Sequence, residues 1–190
     1  MSSAPRFLAF SGSARRGSLN RKLLAVAVEA VRSAGGVVEL LDMNDYAFPL
    51  YHGDLEAEQG LPQTVQKFLE HLRACDGLLI ACPEYNSMPT PLLKNTIDWC
   101  TRADDDPLTG KVAGIVSASP GAFGGIRSQT HVRSLLTHLG CHVVPVQCIL
   151  PHADKAFTPE GALSASRAHD SVRALATALV ETTRRLRATP

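Results

Sequence analysis

Two rhythms of apolar and polar positions alternate along the chain. Short solid apolar runs at Arg6–Ser11, Val37–Leu41, Gly77–Cys82, Lys111–Ser117 and His142–Cys148 read as five strands. Gly77–Cys82, GLLIAC, is apolar throughout, as a strand covered on both faces must be. Between the runs, apolar residues recur at helical spacing. Asn20–Ala34 places Leu23, Leu24, Ala27 and Val31 on one face and stops at Gly35-Gly36, a common helix-ending pair. A helix opening at Pro62 and reaching about Ala74 carries Val65, Phe68, Leu69 and Leu72 as its stripe. Leu92–Arg102, Ile126–Leu139 and Leu163–Arg187 complete the set. Residues 42–61 predict a long irregular connection, and His152–Gly161 a linker-like stretch.

Strands alternating with helices imply a parallel sheet covered by helices on both faces, an α/β three-layer sandwich. Right-handed crossovers leave few topologies, and five strands favour the order 2-1-3-4-5, the flavodoxin-like arrangement. Ligands in such sheets bind beyond the carboxyl ends of the strands, where the winding reverses. Here that point falls between the first and third strands.

Composition narrows the options. The 190 residues predict a single domain over 1–190. A net charge of +1 supplies no general field for nucleic acid or an anionic membrane, so any anion site must be local. MSSAPRFLAF lacks the pattern of a signal peptide, and no apolar run approaches a bilayer span, so a cytoplasmic protein is expected. Cys75, Cys82, Cys100, Cys141 and Cys148 are odd in number, form no CxxC and lie mostly in apolar runs, which reads as buried free thiols. His131, His138 and His142 follow no ligand spacing, and no metal site is expected.

The reversal rule selects three loops: SGSARRGSLN after the first strand, PEYNSMPTP after the third and ASPGAFGG after the fourth. The first has the chemistry of a phosphate cradle. Ser18 is a candidate N-cap at a helix start whose amides attract anions; Ser11, Ser13, Ser18 and Asn20 offer hydrogen bonds, and Arg15 and Arg16 add charge. Gly12 and Gly17 have P-loop spacing, but Ser18-Leu19 follows instead of Lys-Ser/Thr, which argues against ATP or GTP hydrolysis. GxGxxG is absent too, although Asp42 closes the second strand where a ribose-binding acid would sit. The other loops suit a flat ligand: Pro83, Pro89 and Pro91 stiffen the second, Tyr85 offers an aromatic face, and Gly121, Gly124 and Gly125 allow close backbone approach in the third. One terminal phosphate and one planar ring describe FMN.

These strings resemble a known family. GSARRGSLN, then CPEYNS with LLKNTIDW, then SPGAFGGIRSQ are similar to the three signatures of the NADPH-dependent FMN reductases, in order and spacing, over about residues 6–150. Thr90-Pro91 stands where many members have Pro-Gly, so the backbone near Ser87 and Met88 should differ locally. The resemblance implies FMN phosphate contacts from Ser11, Ser13, Arg15, Ser18 and Asn20. It implies ring contacts from Pro83, Glu84, Tyr85, Asn86 and Ser87, and from Ser119, Gly121, Gly124 and Gly125. It also implies homodimers or homotetramers pairing through the helices that carry Trp99 and Arg133.

The expected activity is hydride transfer from NADPH or NADH through bound FMN to a small acceptor: a flavin, quinone, azo compound or metal oxyanion, in a ping-pong cycle. Flavin chemistry belongs to the cofactor, so no catalytic side chain is assigned. Amides of the third loop are expected to stabilise negative charge on the reduced ring. The alternative is an electron carrier like flavodoxin; near-neutral charge favours the enzyme, since flavodoxins tend to be strongly acidic. Lys94 and Asp98 should form a helical ion pair, and Trp99 should serve packing or an interface. Asp45, Tyr46, Leu50, Tyr51 and His52 in the long connection are candidates for the substrate side.

Overall fold

The computed structural model describes residues 3–188; the terminal residues of the expected 1–190 domain lie outside that range. Its strands β1 (Arg6–Ser11), β2 (Val37–Leu40), β3 (Gly77–Ala81), β6 (Val112–Ala118) and β7 (His142–Val143) form a parallel sheet in the order β2-β1-β3-β6-β7. This is the expected 2-1-3-4-5 winding. Register follows from burial on both faces. Phe7 and Ala9 face one core with Leu79 and Ala81, while Leu8 and Phe10 face the other with Leu78 and Ile80.

Helices close each layer. α1 (Leu19–Ser33) and α6 (Ser166–Ala188) cover the first core through Leu23, Val28, Leu175 and Leu179. On the second face lie α3 (Gln63–Arg73), α4 (Pro91–Cys100) and α5 (Ile126–His138), contributing Phe68, Leu93, Trp99 and Leu136. Trp99 is fully buried, packs edge-on against Tyr51 and donates its indole N–H to the Pro49 carbonyl at 2.7 Å, so its role is packing. Lys94 and Asp98 pair at 2.6 Å as expected. All five cysteines are buried and free.

Three stretches depart from the sequence reading. The fifth strand is split: β7 ends at Val143, and β8 (Cys148–Leu150) resumes opposite Val116–Ala118. Pro145, between them, has no N–H for the ladder. The Gln129 side chain fills the gap, donating from Nε2 to the Ile115 and Cys148 carbonyls at 3.2 Å each.

The connection 42–61 is not wholly irregular either. It holds a 3₁₀ turn at Met43–Asp45 and a seven-residue helix, α2 (Gly53–Gln59), which buries no side chain and so leaves no apolar stripe to read. Asn95 pins this connection to α4, donating to the Pro49 carbonyl and accepting from the Tyr51 amide. The third departure is a hairpin within the second loop, β4 (Glu84–Tyr85) paired with β5 (Met88–Pro89).

Candidate functional site

β1 and β3 are neighbours whose chains leave their carboxyl ends toward opposite sides of the winding, and the rim opens there. Gly12 anchors the opening. Its amide extends the ladder to the Ala81 carbonyl at 2.9 Å, and its own carbonyl accepts from Thr90 Oγ1 at 2.6 Å. A Cβ on Gly12 would lie 2.8 Å from the Leu93 Cβ and 3.1 Å from the Pro83 Cδ, so the loops after β1 and β3 meet only because this residue has no side chain. Thr90 also caps α4 by accepting the Leu93 amide. Sequence reasoning noted Thr90 only as a departure from the family's Pro-Gly and not as a cap, although a threonine before a proline at the first helical position signals a helix start.

A half-open cleft of about 300 Å³ lies on this rim. The first loop contributes Ser13, Arg15 and Ser18 to its lining, the last capping α1 by accepting the Arg21 amide at 3.3 Å. The start of α1 thus presents hydroxyls, helix-terminal amides and one exposed guanidinium together. Pro83, Glu84 and Tyr85 of the second loop and Ala118, Ser119 and Pro120 of the third complete the lining. Tyr85 is 54% exposed.

Other candidates border the cleft with their polar atoms already engaged. Asn20 spends both side-chain functions on Ala118, donating to its carbonyl at 2.8 Å and accepting its amide at 3.0 Å, which ties the α1 start to the end of β6. Ser11 Oγ accepts the Ser13 amide at 3.2 Å and lines an adjoining depression rather than the cleft. Asp42 accepts from Arg21 at 2.6 Å and from Asn44; Arg21 and Asn44 also donate to the Ala14 carbonyl, bracing the first loop from outside.

Glu84 is a brace as well. Its carboxylate takes the Arg127 guanidinium and the amides of Arg127 and Ser128, the first turn of α5. The amides of Arg127 and Ser128 are therefore engaged within the protein. Burial raises the Glu84 carboxyl, but hydrogen bonds from Arg127 and Ser128 outweigh it and hold the group below its ordinary value.

A carboxyl depressed on folding stabilises above its unfolded value and loses that contribution as pH falls through the folded one. Wild-type thermal stability should therefore decline as pH drops below about 4.5. A Glu84→Gln variant should show a shallower decline; parallel melting curves from pH 6 to pH 3 check this.

Asn86 and Ser87, at φ 52° and 69°, are the two turn residues of the β4–β5 hairpin and do not line the cleft. Positive φ at both central positions defines a turn matched to strand twist. Gly121, Gly124 and Gly125 are also outside the lining. The Gly121 amide is held by Ser119 Oγ and the Gly124 amide by the Gly121 carbonyl. Gly124 and Gly125 pack the third loop onto β8 and β6: added Cβ atoms would sit 2.8 Å from the Pro151 nitrogen and 2.9 Å from the Ser117 Cβ.

Tyr46 and Tyr51 of the long connection pack against Phe68 and Trp99 instead of reaching the cleft. Burial pushes the Cys82 thiol, just before the second loop, up to about 12, and it meets Ser128 Oγ at 2.9 Å. It is a packing group at physiological pH, not a nucleophile. Among the described residues no cluster of His, Cys, Asp or Glu could hold a metal ion, and no helix is long and apolar enough to cross a membrane.

FMN fits this donor set. A monoanion-to-dianion phosphate suits the Ser13–Arg15–Ser18 end, and a planar ring suits the walls of Pro83, Tyr85 and Ser119-Pro120.

A hydroxyl- and arginine-lined helix start opening into a cleft at the reversal of a 2-1-3-4-5 sheet defines a flavodoxin-like fold with its ligand-binding rim. The chain belongs to the NADPH-dependent FMN reductase family, whose model matches residues 5–155. It is similar to an NAD(P)H-dependent FMN reductase of Pseudomonas aeruginosa, 39% identical over 98% of this chain and 100% of that one. It also resembles a quinone reductase of Escherichia coli, 37% identical over 76% of each chain. Among solved structures, the flavoenzyme NAD(P)H:(acceptor) oxidoreductase FerB of Paracoccus denitrificans superposes with a TM-score of 0.82 at 28% identity, over 96% of this chain and 98% of that one.

Proposed function

We propose that the chain is an FMN-dependent oxidoreductase passing hydride from NADPH or NADH to a small acceptor, a quinone or free flavin first of all. The observation that carries this reading is one cleft lined together by Ser13, Arg15 and Ser18 of the first loop, Pro83 and Tyr85 of the second and Ser119 and Pro120 of the third. Close relatives named for FMN and quinone reduction support it.

When bound, FMN supplies the hydride chemistry; the protein binds, orients and shields. Ser13, Ser18 and Arg15 hold the phosphate, which fixes the cofactor's direction along the cleft. Pro83, Tyr85, Ser119 and Pro120 wall the ring, and the Glu84–Arg127 brace sets how far apart those walls stand. The open side leaves one surface that the nicotinamide and then the acceptor occupy in turn. That sharing makes alternate occupancy, and hence ping-pong kinetics, the natural order. Azo compounds and metal oxyanions reach the same open surface.

The described residues act in this reading as one FMN-binding domain in a cytoplasmic homodimer or homotetramer, with α4 and α5 as the pairing helices. Phe123 and Ile126, exposed at the start of α5, suit such a contact.

Steady-state oxidation of NADPH by a quinone with FMN-loaded protein tests the activity. Parallel double-reciprocal lines are expected. Retention of FMN without coenzyme oxidation would make the chain an electron carrier instead.

A further inference from the structure

A second depression, about 650 Å³ against 300 Å³ for the cleft, runs along the outer edge of β8 and past the start of α6. Ile149, Pro151 and Ala168 give it an apolar floor, and His152, Lys155 and Arg167 supply basic groups. No carboxylate lines it. Asp170, on the same helix, is taken by Arg173, and Asp154, beside Lys155 in the chain, is not part of the wall. Lys155 and Arg167 have no side-chain partner among the described residues, whereas Arg21, Arg73, Lys94 and Arg127 are each paired with a carboxylate. Two unneutralised cations over an apolar floor form a site for an anion carried on a flat or apolar body.

Its position narrows the anion. The groove and the cleft lie back to back across one hydrogen-bonded layer. The Ser119 amide donates to the Leu150 carbonyl at 3.1 Å, the Ala153 amide to the Ser119 carbonyl at 3.0 Å, and the His152 amide to the Gly121 carbonyl at 3.3 Å. Ser119 is a wall of the cleft, while Leu150 and His152 are walls of the groove. A ligand with a reactive end in the cleft and a phosphate-bearing end nearby would pass over this layer.

We propose that the groove receives the 2′-phosphoadenosine end of NADPH, with the 2′-phosphate between Lys155 and Arg167 and the adenine over Ile149, Pro151 and Ala168. This assignment rests on the oxidoreductase reading above. A phosphomonoester near neutral pH carries about 1.5 to 2 negative charges, and a guanidinium grips it bidentately. NADH lacks that group and leaves both cations without a partner, so the groove selects NADPH.

The test uses FMN-loaded full-length protein and the double variant Lys155→Ala/Arg167→Ala, both sites being exposed. Calorimetric titration should show 2′,5′-ADP binding at least about tenfold tighter than 5′-AMP to wild type, with the gap closed in the variant. The ratio of kcat/KM for NADPH to that for NADH should fall by a similar factor, with FMN content unchanged. Equal binding of the two nucleotides, binding insensitive to the variant, or inorganic phosphate binding as tightly as 2′,5′-ADP overturns the groove assignment. The nucleotide titration needs no turnover, so a chain that oxidises neither coenzyme can still pass or fail it. Turnover without coenzyme discrimination, in turn, removes the groove and leaves the oxidoreductase reading standing.

Discussion

Replacing Gly124 with valine is expected to destabilise the protein by about 2–6 kcal/mol and to abolish stable FMN loading. Two independent costs combine. Gly124 has φ 58°, a conformation in which a β-branched residue is an outlier costing about 1–3 kcal/mol. An added Cβ would also stand 2.6 Å from the Ile149 Cγ2, 2.8 Å from the Pro151 nitrogen and 2.9 Å from the Leu150 carbonyl carbon. Two of these atoms are backbone and cannot swing aside, so β8 and the third loop must separate, at a further cost of about 1–3 kcal/mol. Typical domains hold only about 5–15 kcal/mol in total. Gly17→Ala is the matched control. Nothing lies within 4 Å of a Cβ there and its φ is not positive, so its stability should hold or rise by about 0.4–1 kcal/mol. Urea unfolding of both variants checks the pair; equal stability would mean that the third loop is not seated on β8 as described.

Arg15→Ala should weaken FMN binding by about tenfold to a hundredfold while leaving riboflavin affinity nearly unchanged. Arg15 lines the cleft beside Ser13 and Ser18 and is the cation at that end. A hydrogen bond to a charged group contributes about 1.5–3 kcal/mol, and the exposure of Arg15 puts the effect in the lower part of that range. Riboflavin has no phosphate and forgoes the contact from the outset. Fluorescence titration with both flavins separates the outcomes. Equal loss for the two would place Arg15 at the ring or in the fold, not on the phosphate.

The winding of the sheet was legible because its central strands carry evidence of double burial, whereas the edge strand β2 keeps Val37 and Leu40 exposed and was read from its apolar content alone. Phe7 to Phe10 and Gly77 to Ala81 are apolar at every position, and only a strand between two helical layers requires that. Helices α1 and α3 were legible from their stripes for the same reason. What escaped notice lacks such a stripe. α2 fully buries no side chain and packs only Leu55 partly against the core, so its seven residues look like loop, and the β4–β5 hairpin is too short and proline-rich for period-2 alternation. The split of the fifth strand had a visible cause in Pro145, which outweighs the apolar content around it.

The grouping of Ser13, Arg15 and Ser18 on one cleft was readable from local chemistry, since a cap, hydroxyls and arginine lie within a few residues of one another. The other two loops were less so. Glu84 meets Arg127 from 43 positions away, and no spacing in the sequence announces that pairing. The glycines of the third loop are demanded by packing against β8 and Ser117, a constraint visible only once the strands are side by side.

The most direct measurement is an absorbance titration of purified, FMN-reconstituted protein with NADPH in the absence of oxygen, followed by a quinone. The expected result is tight uptake of one FMN per chain, loss of the yellow oxidised band on adding NADPH, and its return with the quinone. A chain that retains no FMN, or whose bound FMN stays oxidised with both NADPH and NADH, would contradict the account.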